Sequence, residues 1–261
     1  MKRLIVSLAS AGLVILGGIG NALADSHEEE KAEAAVPVEL YACKYNDGKG
    51  PKDLDAATAK WNAWADDRGL NDYYASTLVP FYFGPEQEFD FLWLGVSPSA
   101  KGLGAAQDDW IANGGKIQDE FNKASTCDAH VNFAAVKFKS PPDRGDSDNF
   151  VVSFSDCTMA DGVNFGNDIA PALGEWAAYE AEKGSQAGMW VLFPAYGGGG
   201  EEFDFKFVSS HSSLGEQGSD WDNYSESGWQ KAEELFQGKL RCDSSRVYIS
   251  TVRRRIKDSD E

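Results

Sequence analysis

The sequence predicts an α+β fold built from two tandem copies of one β-α-β-β-α-β unit. Three observations predict it. The four cysteines form two pairs of nearly equal spacing, Cys43 with Cys127 and Cys157 with Cys242. The tetrapeptide Glu-Phe-Asp-Phe occurs at 88–91 and again at 202–205. Hydrophobic residues alternate along four segments of each half, with helical periodicity between them. Self-similarity of this kind indicates a duplication.

Other landmarks keep the same order in both halves, at an offset that drifts by only a few positions. The recurring pairs are Trp61 and Trp176, Pro80 and Pro194, and Phe121 and Phe236. A stretch with Leu-Gly followed by Asp-Trp recurs as well, at 103–110 and 214–221. Chance would not preserve the order of so many rare residues.

The elements of the first copy follow from periodicity and turn residues. We predict strands at 38–45, 75–83, 88–96 and 130–138. A helix is expected between Pro51, which suits a first helical turn, and Gly69, which suits a C-cap. A second helical region is interrupted near Gly114. The second copy repeats this pattern, with strands at 150–157, 189–196, 202–209 and 246–252, a helix at 169–182 and a helical region ending near 236.

This element order is the split β-α-β, or ferredoxin-like, unit, in which strand four lies beside strand one. Cys43 lies near the end of strand one and Cys127 just before strand four, so the two should meet. Of the three possible pairings, the sequence therefore predicts the bridges Cys43–Cys127 and Cys157–Cys242.

The first residues have the features of an export signal. Lys2 and Arg3 precede an apolar stretch that ends in Ala-Leu-Ala at 22–24. We therefore expect a periplasmic or extracellular protein, in a compartment that permits disulfides. The predicted segments are a signal peptide at 1–24, an acidic leader at 25–35, repeat one at 36–138, a linker at 139–148, repeat two at 149–255 and an acidic tail at 256–261.

The chain is strongly acidic, with a formal net charge of −18. Nucleic acids and anionic membranes attract basic surfaces, so neither is expected as a partner once the signal is cleaved. Aromatic residues are plentiful, with 8 Trp, 9 Tyr and 15 Phe. A well-packed core is therefore expected.

Strand alternation gives each predicted sheet one aromatic face and one mixed face. Phe89, Phe91 and Trp93 share the aromatic face, which should meet the helices. Strand four is aligned with His130 over Arg246 and Asn132 over Tyr248, which places these four on the mixed faces. The mixed faces also receive Tyr41, Asp90, Asp204 and Lys206. Packed sheet to sheet, the two mixed faces would form a closed pseudo-dimer barrel within one chain.

The tandem units resemble the dimeric α/β-barrel superfamily, in particular the EthD-like and NIPSNAP-like groups and exported relatives of unknown function. The resemblance rests on Phe-Asp-Phe at 89–91, on Trp-Leu-Gly at 93–95 and on the Leu-Gly and Asp-Trp stretch at 103–110. Members include cofactor-free monooxygenases, haem-binding enzymes, lactone isomerases and proteins without known activity. The resemblance implies a site inside the barrel and a monomeric chain, because the second copy replaces a partner subunit.

No standard catalytic or metal-binding signature is present, so no metal site is predicted. The catalytic candidates are His130 with Asp90 or Tyr41, since an imidazole beside an acid can act as a general base. The predicted ligand-binding residues are His130, Asn132, Asp204, Lys206, Arg246 and Tyr248. Each has a structural alternative: His130 as a hydrogen-bonded core residue, and Asp90 and Asp204 as ion-pair partners of Lys206 and Arg246. No cofactor is predicted, and haem is left open because His130 could be an axial ligand.

Three functions remain open at this stage. The first is the binding of a small apolar, aromatic or carboxylate-bearing ligand in the barrel. The second is catalysis by a cofactor-free oxygenase or isomerase. The third is a structural or partner-binding module with a filled barrel. A cavity of several hundred cubic ångströms would favour the first two.

Overall fold

The structure is a computed structural model that describes residues 35–141 and 147–257. The predicted signal peptide, nearly all of the leader, the middle of the linker and the end of the tail lie outside these residues. No helix in the described ranges is long and apolar enough to cross a membrane.

The first half has the element order β-α-β-β-α-β, with its second helical region in two pieces, and the second half adds a short strand before its last strand. The first half contains β1 Val36–Tyr45, α1 Pro51–Asp67, β2 Tyr74–Tyr82, β3 Phe91–Val96, α2 Ala100–Asn113, α3 Gly115–Ala124 and β4 Ser125–Lys139. The second contains β5 Asn149–Met159, α4 Ala170–Glu182, β6 Gly188–Tyr196, β7 Phe205–His211, α5 Leu214–Asn223, α6 Trp229–Phe236, β8 Leu240–Cys242 and β9 Arg246–Arg254. Single π-helical turns precede α4 and α6, at Phe165–Ile169 and Tyr224–Gly228.

The strands form one closed antiparallel barrel. In the first half their order is β4-β1-β3-β2, and in the second it is β9-β5-β7-β6. The two halves join at their edges, where β2 pairs with β9 and β4 pairs with β6. Eight strands therefore close the barrel, and short β8 pairs with the end of β5. The halves thus share one continuous hydrogen-bonded wall, beyond the sheet-to-sheet packing that the sequence predicted.

Apolar side chains fill two layers, one inside the barrel and one between the barrel and the helices. The inner layer contains Val38, Leu40, Leu78, Phe133, Ala135, Val152, Phe154, Leu192, Val208 and Tyr248. The outer layer has a cluster around Trp61, Tyr73 and Trp93 in the first half. A matching cluster surrounds Ile169, Val191 and Phe205 in the second half. The helices therefore cover the outside of the barrel.

Both predicted disulfides are present, and no cysteine is free. Cys43 and Cys127 are directly opposed on β1 and β4, with a Cα–Cα distance of 3.9 Å. Cys157 and Cys242 are opposed on β5 and β8 at 4.0 Å. Each bridge closes a loop of more than 80 residues within one half. In the chain-entropy model, closing such a loop stabilises the fold by roughly 4–5 kcal/mol.

The predicted orientation of β4 is wrong. Leu40 pairs with Val131, whereas its equivalent Phe154 pairs with Arg246. Val131, and not His130, is therefore the counterpart of Arg246. Because a slip of one residue moves every side chain of a strand to the other face, His130 and Asn132 lie outside the barrel while Arg246 and Tyr248 lie inside.

Two further orientations differ from prediction. Phe89 and Phe203 pack against the inner layer instead of the helices. Both precede the first residue of their strands, so strand alternation does not govern them. Tyr41 packs on the outer clusters, on the face opposite Leu40.

Candidate functional site

A cavity of about 740 Å³ opens at the end of the barrel where β7 and β9 begin. Both halves contribute to its wall. Its aromatic and aliphatic lining includes Leu40, Tyr82, Phe83, Phe89, Leu92, Val131, Phe133, Phe154 and Tyr248. The charged residues of the second half that line it are Asp156, Lys206, Asp243 and Arg246.

Two cations and two acids are paired in this cavity. Lys206 Nζ donates a hydrogen bond to Asp156 and lies 4.0 Å from the ring centre of Phe203. Arg246 Nη1 donates to Asp243 Oδ2 at 2.6 Å. Arg246 Nη2 is 3.1 Å from Asp156 Oδ2 but lacks hydrogen-bond geometry, so this buried nitrogen makes no hydrogen bond within the described residues.

Asp90 and Asp204 are not the partners of these cations, which was the structural alternative considered for them. Asp90 accepts a hydrogen bond from the backbone N–H of Tyr45 at 2.7 Å. Asp204 accepts one from Met159 N–H at 2.6 Å, in the matching position of the second half. Each carboxylate therefore has the same structural role. Asp90 links the residues before β3 to the end of β1, and Asp204 links the residues before β7 to the end of β5. Asp156 and Asp243, the actual partners, were missed because nothing in their sequence context marks them.

Tyr248 forms the aromatic wall of the cavity. Its ring lies parallel to that of Phe89, with centroids 6.4 Å apart, and meets Phe154 edge to face at 5.7 Å. Burial raises the pKa of Tyr248 above its usual value, so its phenol stays protonated. It therefore offers the cavity a neutral hydroxyl and a flat apolar surface.

His130 belongs to a second cluster, on the outer face of the first half. Its Nε2 lies 2.8 Å from Glu39 Oε2, and its ring stacks on Tyr41 with centroids 3.7 Å apart. The structure therefore brings together two of the three catalytic candidates, His130 and Tyr41, but not Asp90. Their acid is Glu39, which the sequence analysis missed although it is the one acidic residue of β1.

Glu39 is almost completely buried, with 3% of its surface exposed. Its carboxylate accepts hydrogen bonds from Tyr73 Oη at 2.5 Å and Gln107 Nε2 at 2.6 Å, besides its contact with His130. Burial raises the pKa of Glu39, but the hydrogen bonds from His130 and Tyr73 outweigh burial and hold it below the usual range. The group is therefore ionised at neutral pH.

The second half has no equivalent of this cluster. Serines occupy the positions that correspond to Glu39, Tyr41, Gly95 and His130, and they bond to one another. Ser153 Oγ lies 2.7 Å from Ser209 Oγ, and Ser155 Oγ lies 2.7 Å from Ser245 Oγ. The two halves have therefore diverged on the outer face as well as inside the barrel.

Similar proteins are found by structure and not by sequence: no protein-family model and no curated protein matches. A doubly substituted chlorite dismutase from Candidatus Nitrospira defluvii superposes with a TM-score of 0.51 at 8% identity, over 85% of this chain and 94% of its own. A protein from Fusobacterium nucleatum, provisionally described as a monooxygenase, superposes with a TM-score of 0.52 at 7% identity, over 86% of this chain and 94% of its own. The chain has the dimeric α/β-barrel fold.

In this dimeric α/β-barrel, the predicted ligand residues divide between two places. Lys206, Arg246 and Tyr248 line the barrel cavity. His130 and Asn132 lie on the outside, and Asp204 supports a turn. At 7–8% identity the likeness shows the fold alone, and one fold hosts many functions. Any function must therefore be argued from the residues of this chain.

Haem does not fit the barrel cavity. Haem iron is held by His, Cys, Met or Tyr side chains, and the cavity lining in the described ranges includes only tyrosines of these four. His130 Nε2 and His211 Nε2 lie outside the cavity against Glu39 and Asp220, at 2.8 and 2.9 Å. Among the described residues, no group of three or more His, Cys, Asp or Glu could hold a metal ion.

Proposed function

We propose that the barrel cavity binds a small amphipathic anion, with a carboxylate or similar group on an aromatic or apolar body. The observation that carries this proposal is the cavity of about 740 Å³, whose apolar wall comes from both halves and which holds Lys206 and Arg246. Small-molecule sites have volumes of roughly 300–1,000 Å³ and are mostly apolar with a few polar groups.

Arg246 is the residue that we expect to contact the anion. Its present partner Asp243 is half-exposed, with 45% of the side chain open to water. A ligand carboxylate could therefore replace Asp243 without burying an unpaired acid. Arg246 Nη1, which now bonds to Asp243, would donate to the ligand, while buried Nη2 stays beside Asp156, and charge-assisted hydrogen bonds from arginine to carboxylates are strong.

The asymmetry of the halves favours one binding site over two. We infer that the chain is a tandem duplication of a ferredoxin-like unit, because the strand order of the first half recurs in the second. Leu92 and Val131 occupy the positions that Lys206 and Arg246 occupy in the second half. Both cations thus come from one half, and the other half contributes mostly apolar surface together with Glu86 and Gln87. Together with the export signal that the sequence predicts, the two disulfides support a location outside the cytoplasm.

The other two hypotheses have less support. Catalysis of the oxygenase or isomerase type was expected from His130 and Asp90 inside the barrel, and neither lines the cavity. A structural module was expected to have a filled barrel, whereas only part of the interior is packed. Membership of the EthD-like or NIPSNAP-like groups, and a monomeric state, remain proposals.

The test is calorimetric titration with 2-naphthoate and its neutral isostere 2-naphthamide. We expect naphthoate to bind at least tenfold more tightly, since an ion pair with Arg246 is lost in the amide. Arg246→Met should remove this preference. It should change stability little, because partly exposed ion pairs contribute about 0–1 kcal/mol. The matched control is Arg241→Met, an exposed arginine on β8 that does not line the cavity. Equal binding of both compounds, or unchanged naphthoate binding by Arg246→Met, would contradict the proposal.

A further inference from the structure

A second cavity lies in the first half, between the outer face of the barrel and helices α1 to α3. Its volume is about 150 Å³. An apolar protein cavity of about this size holds one benzene molecule. Seven of the rings that line it come from three helices, from two strands and from the residue before β2: Tyr41, Trp61, Trp64, Tyr73, Trp93, Trp110 and Phe121.

The rings of this aromatic cavity stand at right angles to one another. Trp61 meets Trp93 at 87° with centroids 5.2 Å apart, and Trp64 meets Trp110 at 82° and 5.3 Å. Rings in edge-to-face contact do not cover each other's faces completely. A box of perpendicular aromatic rings is the arrangement by which proteins recognise quaternary ammonium groups, through cation–π attraction.

The wall of the aromatic cavity contains one ionised acid without a permanent counter-ion. Glu39 lines the cavity and is 3% exposed. Among the described residues, its only ion-pair partner is His130, which carries charge only when protonated. Tyr73 and Gln107 satisfy the carboxylate by hydrogen bonds but carry no positive charge, so they leave its negative charge unneutralised. The aromatic cavity therefore combines a negative charge with the faces of tryptophan rings, and both attract a cation.

The arginines near the aromatic cavity do not neutralise Glu39. Arg254 lies over the Trp61 ring at 5.8 Å and pairs with Asp66 at 2.8 Å. Arg68 lies over the Trp64 ring at 5.6 Å and pairs with Asp109. Each guanidinium already has its own carboxylate, so the charge of Glu39 remains available.

We propose that the aromatic cavity is a second binding site, specific for a small quaternary ammonium or alkylammonium cation. Glu39 provides the charge, and the tryptophans provide the cage. The second half supplies an internal comparison, because Ser153 and Ala187 occupy the positions of Glu39 and Tyr73, and Phe207 that of Trp93. The site therefore belongs to the first half and is independent of the barrel cavity.

Tryptophan fluorescence tests this proposal directly. The protein is titrated at constant ionic strength with choline chloride and with 3,3-dimethyl-1-butanol, which has the same shape but no charge. We expect saturable binding of choline, at least tenfold tighter than that of the alcohol. Sodium chloride should have no effect. Similar affinities for both compounds, or no saturable change with choline, would overturn the proposal.

A pair of variants separates charge from structure. Glu39→Gln keeps the size of the side chain and should weaken choline binding at least tenfold. Glu180→Gln is the matched control, because Glu180 is also a buried carboxyl group but lies on α4 of the second half. It should bind choline as the unmodified protein does. If Glu39→Gln does not fold, Trp64→Leu at the partly exposed side of the cavity replaces it, with the same weakening expected. Unchanged binding by the folded variant would overturn the proposal, and 2-naphthoate should not compete with choline.

Discussion

Glu39 and Glu180 are two buried carboxyl groups whose environments shift their pKa values in opposite directions. Burial by itself raises the pKa of both groups. For Glu39, hydrogen bonds from His130 and Tyr73 outweigh burial, and the pKa is lowered. For Glu180, burial and the nearby charge of Asp220 raise the pKa. Glu39 therefore stabilises the folded state in its charged form, whereas Glu180 is more favourable there when protonated.

These shifts predict opposite pH profiles for two substitutions. Glu39 contributes stability above its unfolded-state pKa near 4.5, and this contribution is lost as pH falls through its lower folded-state value. Glu39→Gln should therefore destabilise the protein by about 2 kcal/mol at pH 7, a typical value for hydrogen bonds to a charged group. The difference from the unmodified protein should shrink below about pH 4.5. Urea unfolding at pH 7 and pH 3 measures it.

Glu180→Gln should behave in the reverse way. A raised pKa contributes stability that is fully present below the unfolded-state value of 4.5 and is lost as pH rises through the folded-state value. The substitution should thus raise the free energy of unfolding at pH 7, by about 1 kcal/mol, and change little at pH 3. A loss of stability at pH 7 would show that Glu180 is needed in its charged form.

At the scale of elements, the order of strands and helices could be predicted, but the register of one strand could not. Periodicity and turn residues located the elements because they act locally. The orientation of β4 depends on which residue of β1 it meets, and the sequence offered two alignments one residue apart. The offset between Cys127 and Cys242 agrees with the correct alignment, since disulfides join opposed residues of paired strands. Using the cysteines as the anchor would have placed His130 outside the barrel.

The two halves meet at two seams, the paired strands β2 and β9 and the paired strands β4 and β6. The first seam contains two buried hydroxyls that have no hydrogen-bond partner among the described residues. Ser76 and Ser250 lie on these strands, and neither Oγ has a hydrogen-bond partner in the part of the chain that the structure describes. An unsatisfied buried hydroxyl is unfavourable. Ser250→Ala should therefore raise the free energy of unfolding by about 1 kcal/mol, as measured by urea unfolding.

The control for the seam is a serine of the same barrel whose hydroxyl is bonded. Ser153→Ala removes the bond to Ser209 and should lower the free energy of unfolding by about 1 kcal/mol. If both variants lose stability equally, the Ser250 hydroxyl must have a hydrogen-bond partner in the folded protein, which would contradict the prediction.

The whole molecule should be a monomer in solution. An unpaired strand edge invites pairing with another chain, and here each edge of the four-stranded halves is paired with the other half. Static light scattering of residues 25–261, the form expected after removal of the predicted signal peptide, should give the mass of one chain at all concentrations tested. A tight dimer would show that another surface of the barrel is also an interface.

The cavities belong to the whole molecule and were beyond prediction from sequence. Strand alternation identified Arg246, Lys206 and Tyr248 as inward residues. Asp156 and Asp243 join them only because β5, β7 and β9 converge at one end of the barrel. Likewise Glu39 comes from β1, Gln107 from α2 and Tyr73 from the loop before β2. Sequence patterns describe single elements, whereas a cavity is defined by several.

The two seams have a consequence for cleavage of the chain. They pair residues 132–139 with 189–196 and residues 75–82 with 247–254, and none of these residues lies between Pro141 and Ser147. A protease that cut there would leave both seams intact, and each disulfide would stay within its own fragment. The nicked product should then survive as a non-covalent heterodimer. Two separately expressed fragments should likewise find each other, so that the protein could serve as a split pair in which each half reports the presence of the other.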